Sequence, residues 1–84
     1  MNTYEITLTR EVLREKSAGI LADYDRYIEK NDINDEKNPV FIIVKNIENI
    51  YREIFKPKYK NMKNLNEANG KLDLAKEILE QLNF

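Results

Sequence analysis

Apolar side chains recur at alternating steps of three and four near the end of the chain: Leu65, Ala68, Leu72, Ala75, Leu79 and Leu82, with Ile78 beside them. That spacing lines up one narrow face of an α-helix, a seam made to pack against one neighbouring helix. Asn69-Gly70 interrupts the pattern and predicts a break or kink there. The seam constrains the fold strongly because the chain has few other means of holding itself together. It is 84 residues long with no Cys and no His. Neither a disulfide nor a Cys/His metal site reinforces it, so stability must come from apolar packing, within one chain or shared with a second copy.

Two further segments carry patterns. Between Leu13 and Ile28, residues Leu13, Ser17, Ile20, Tyr24 and Tyr27/Ile28 follow helical steps, which predicts a first helix over 10–30 with Thr9 as its N-cap. Gly19 weakens that helix or admits a close neighbour. Ahead of it, Tyr4, Ile6 and Leu8 alternate with Thr3, Glu5 and Thr7, the pattern of a short strand. Residues 31–38 read as a solvated loop. Asn38-Pro39 then signals a helix start, with Asn as cap and Pro in the first turn. Val40, Val44, Ile47, Tyr51 and Ile54/Phe55 share one face beyond it, and Pro57 stops the element near Lys56. The β-branched run Val40–Val44 competes as a buried strand, but the helical period outlasts it.

The expected fold is therefore mainly α: one small three-helix domain over 1–84, with an extended or short-strand N-terminus. The alternative is an α+β domain in which Thr3–Leu8 and Val40–Val44 are two short parallel strands.

Composition argues for binding over bond-making. With no His or Cys, the usual proton shuttle and thiol nucleophile are absent. The carboxylate pair Asp23/Asp25 points two ways on a helix, and Gly19 and Gly70 stand too far apart for a phosphate loop. No enzyme activity, cofactor or metal site is expected. Asp32 to Glu36 starts like a calcium loop but has Lys37 where Gly belongs and Ile43 where the closing carboxylate belongs. The longest apolar run is far short of the roughly 20 residues of a membrane span. With no signal-peptide pattern at Met1–Glu5, a cytoplasmic protein is expected. A net charge of −1 gives no global attraction to nucleic acid.

Charge is nonetheless polarised. Residues 45–63 carry a local net charge of +4 and residues 23–36 a net charge of −4. Within the basic stretch Arg52, Lys56, Lys58, Tyr59, Lys60 and Lys63 form the candidate binding residues, the cations for phosphate oxygens or an acidic protein surface and Tyr59 for stacking. Tyr27 is a further interface candidate, whereas Tyr24 and Tyr51 fall on predicted core faces. The leading expectation is a non-enzymatic interaction protein, an inhibitor or adaptor that acts on a partner protein, with homo-oligomerisation expected. The Lys, Asn and Ile bias suggests a phage or plasmid accessory protein. Capture of nucleic acid or a small nucleotide by 52–63, and a structural subunit of a homo-oligomeric assembly, are the alternatives.

Overall fold

A computed structural model of the chain describes residues 3–82. They form three α-helices, α1 (Thr3–Lys30), α2 (Pro39–Glu53) and α3 (Met62–Gln81), with a 3-10 turn at Pro57–Tyr59 between the last two. The mainly α, three-helix expectation holds, and Val40–Val44 lies in α2. The expected strand does not form: Thr3–Leu8 is the start of α1, which begins six residues before the Thr9 cap anticipated for it. The period-two pattern there is incidental. Tyr4 and Leu8 are four residues apart and share the outward face of the helix, while Ile6 turns inward and is partly buried. No second strand exists among the described residues to pair with it. Extending an established helix fixes one residue per hydrogen bond, a smaller cost than starting a new element.

The loop between α1 and α2 is more structured than its polarity suggests. Asp32 takes a left-handed conformation, φ 52°, and the Ile33 N–H returns to the Ile28 carbonyl at 3.0 Å. This is a Schellman-type stop with Asp where Gly is commoner. Ile33 packs against the core beyond it. The cap on α2 is the one the sequence announces: the Asn38 side chain accepts from the Val40 N–H at 3.0 Å, with Pro39 in the first turn. Asn61 caps α3 in the same way, accepting from the Lys63 N–H at 2.7 Å.

Helix α1 is the spine against which α2 and α3 both pack; those two touch each other less. Leu13, Ile20 and Tyr24 from α1 meet Val40, Val44, Ile47, Ile50 and Ile54 from α2 and its C-cap. Leu65, Ala68, Leu72, Ala75 and Leu79 of α3 close the core. The Leu/Ala seam is thus consumed inside one chain, and only Leu82 at its end stays exposed. Ser17, fully buried, donates to the Leu13 carbonyl of its own helix at 2.7 Å. The Tyr24 hydroxyl, also fully buried, donates to the Ala75 carbonyl at 2.5 Å and ties α1 to α3. Burial pushes the Tyr24 phenol above its ordinary value of 10.0. The neutral form is therefore favoured in the fold, and that preference is lost only as pH rises through the alkaline range.

The expected break at Asn69-Gly70 is absent, and α3 runs through it unbroken. A Cβ placed at Gly70 or at Gly19 would meet nothing within 4 Å. Neither glycine serves a close approach inside the molecule, and each carries the entropic cost of Gly in a helix interior. Gly19→Ala should therefore raise stability by about 0.5–1 kcal/mol, seen as a rise in Tm on thermal unfolding followed by circular dichroism. A lower Tm would contradict this account of the position.

Candidate partner-binding site

Helix α1 holds 28 residues and so extends about 42 Å at 1.5 Å per residue, which accounts for the 45 Å long dimension of the molecule. Its core residues start late. Among the described residues before Leu13 the one apolar side chain packed against the core is Ile6, partly buried, while the polar Arg10 is buried. On the opposite face Tyr4, Leu8 and Val12 are 74%, 48% and 54% exposed. Residues four apart stack on one side of a helix, so the three make a continuous apolar ridge along the first three turns. Exposed Glu11 and Glu15 flank it.

A separate cleft lies between α1 and α2, lined by Glu11, Arg14, Glu15, Ala18, Tyr51 and Phe55. Its floor is aromatic and its cation is already seated. The Arg14 guanidinium lies 4.9 Å from the Tyr51 ring centre and 5.5 Å from that of Phe55 and reaches the Tyr51 hydroxyl at 3.4 Å. Such placement over ring faces is favourable through the ring quadrupole. A second apolar groove lies between α2 and α3, lined by Ile43, Asn46, Ile47, Lys71, Leu74, Ala75 and Ile78. Its apolar walls are already core or half-buried except Leu74, which is exposed.

The basic segment is spread along the end of α2, the 3-10 turn and the start of α3. Arg52 hydrogen-bonds Asn49 on its own helix. Lys58 and Lys56 both turn to one carboxylate, Glu53, at 2.6 and 3.9 Å. The Lys58 ammonium, through its hydrogen bond and charge, holds the Glu53 carboxyl below its ordinary value, and Glu53 raises Lys58 in return. Tyr59 packs partly buried against the core with the Lys58 ammonium 5.2 Å from its ring centre. Lys60 closes the 3-10 turn through its backbone N–H to the Pro57 carbonyl, and the Lys63 backbone serves the Asn61 cap. Lys58 and Tyr59 also line a polar groove with Asn46, Asn49, Ile50, Glu53 and Lys71. The structure thus gathers Arg52, Lys56, Lys58 and Tyr59 around the end of α2, and sets Lys60 just after the 3-10 turn and Lys63 in the first turn of α3. Tyr27 is partly buried against the core.

The sequence reading missed the ridge, because the strand pattern assigned to Thr3–Leu8 put Tyr4, Ile6 and Leu8 on one side. Val12, four residues after Leu8, was the signal that could have revealed it. Among the described residues no group of His, Cys, Asp or Glu is placed to hold a metal ion. None of the described helices is long and apolar enough to cross a membrane.

Neither a curated protein nor a solved structure matches the chain. A family model does: that of the bacterial epsilon antitoxins, over residues 2–82. The match takes in all three helices and the whole ridge, and it identifies the chain as a member of the bacterial epsilon antitoxin family, a small toxin–antitoxin protein that binds a partner protein.

Proposed function

We propose that the protein neutralises its toxin by laying the outward face of α1 into an apolar groove on that toxin, acting by occupancy and not by catalysis. The observation that carries this is the Tyr4–Leu8–Val12 ridge. It lies on a stretch of helix that adds little to the protein's own core, and contiguous exposed apolar side chains mark interaction surfaces. The anchors stand at helical i, i+4 spacing, the arrangement by which an amphipathic helix enters a groove on its partner. Glu11 and Glu15 beside the ridge favour a groove rimmed with cations.

The test is neutralisation. Added to the purified toxin or co-expressed with it, the protein is expected to form a stoichiometric complex and remove the toxin's growth-arresting activity. A toxin that binds the protein tightly yet stays fully active would overturn the inhibitory reading.

The finer expectations stand beside this as proposals. The action is cytoplasmic, and a phage or plasmid origin fits the Lys, Asn and Ile bias. Homo-oligomerisation would use the α2–α3 side, where Ile42 and Leu74 are exposed. Phosphate capture by the 52–63 segment is a second reading, supported by Lys60 and Lys63, whose exposed ammoniums meet no carboxylate among the ion pairs of the described residues.

A further inference from the structure

The first turns of α1 have an unusual support. An isolated helix shorter than about 12–15 residues is marginal in water, and within residues 3–12 Ile6 is the one apolar residue packed against the core. Their main tether is polar. Arg10 is 8% exposed; its Nε donates to the Ile54 carbonyl at 2.6 Å and its Nη2 to the Lys56 carbonyl at 3.2 Å. Ile54 is the C-cap of α2, where carbonyls lack intrahelical partners and the dipole favours a cation; Lys56 is the N-cap of the 3-10 turn, and its carbonyl also accepts from the Tyr59 N–H at 3.0 Å. The same guanidinium lies 5.2 Å from the centre of the Phe55 ring, which Arg14 approaches one turn later on α1 at 5.5 Å. Phe55, almost half exposed, is thus held by two arginines from consecutive turns of α1.

We infer that Arg10 and Arg14 form a clasp on the end of α2 that keeps the start of α1 helical before the toxin arrives. They are positioning residues for the Tyr4–Leu8–Val12 ridge. This rests on the reading of that ridge as the toxin-docking surface. Docking then needs no prior ordering of the arm, whose disorder would otherwise weaken binding in proportion to the fraction of time it is frayed. The arrangement also explains why a cation is buried in so small a domain: its bonds go to α2, and its effect falls on α1.

The test pairs hydrogen exchange with affinity. In Arg10→Met the amides from Thr7 to Val12, the first with acceptors inside α1, are expected to lose protection while those of α2 and α3 keep theirs. An arm ordered about a tenth of the time gives a roughly tenfold higher Kd for the toxin. Adding Thr3→Ala and Thr7→Ala, which raise intrinsic helicity at exposed positions of the arm, should restore both protection and affinity. Should Arg10→Met unfold the whole domain, the exposed Arg14→Ala carries the same comparison with a smaller expected effect. Unchanged arm protection and unchanged Kd would overturn the clasp, as would a loss of affinity that added helicity fails to rescue. The docking reading is judged separately by Leu8→Asp/Val12→Asp: if that variant loses the toxin while the clasp variants do not, the clasp alone is wrong.

Discussion

Leu8→Asp combined with Val12→Asp is expected to abolish toxin neutralisation while leaving the free protein folded. Both side chains are about half exposed and point away from the core, so the unbound domain keeps its packing and loses only a little helix propensity. In the complex the same positions would press two carboxylates into an apolar groove. Removing such anchors and burying charge in their place should raise the toxin Kd by about a hundredfold or more. Titration calorimetry on the purified pair, with rescue of toxin-arrested growth as a second readout, measures this. Leu74→Asp on the α2–α3 side is the control and should bind as the parent does. Equal binding by the ridge variant and the parent would remove α1 from the interface.

A second large effect is expected in the core. Leu72 is fully buried where α3 meets the other helices, and Leu72→Ala should cost about 2–5 kcal/mol through lost transfer energy and the cavity left behind. A domain of this size commands only about 4–13 kcal/mol in total. The variant should therefore melt roughly 10 °C or more below the parent, or be unfolded at room temperature. A fall of only a degree or two would mean that α3 packs less tightly than described. The two predictions separate cleanly: one variant is stable and does not bind, the other binds only insofar as it folds.

The helices were legible because most of their core follows the period, Tyr51 and Phe55 at the end of α2 being the departures. In α3, Leu65, Ala68, Leu72, Ala75 and Leu79 are all buried, and Asn38-Pro39 marks the start of α2 because side-chain capping is a local property. Gly70 misled because a helix-breaking propensity of about 1 kcal/mol is outweighed by packing on both sides. Thr3–Leu8 misled for a different reason: an apolar residue at every second position is compatible with a helix that is apolar on two faces, one for the core and one for a partner. Local pattern cannot tell those faces apart. The Arg10 clasp was illegible altogether, since its acceptors are backbone carbonyls 44 and 46 residues away. A chain without His or Cys points toward binding, and the antitoxin family is one whose members bind a partner protein; the basic residues of 52–63 form a candidate surface separate from the ridge.

Hydrogen exchange on the protein with and without its toxin tests the central claim most directly. Docking through α1 predicts that amides from Tyr4 to Ala18 exchange more slowly in the complex, because partner contact suppresses local opening, while those near Ile42 and Leu74 are unchanged. Slowing confined to the α2–α3 groove or to residues 52–63, with the start of α1 exchanging as it does in the free protein, would contradict it.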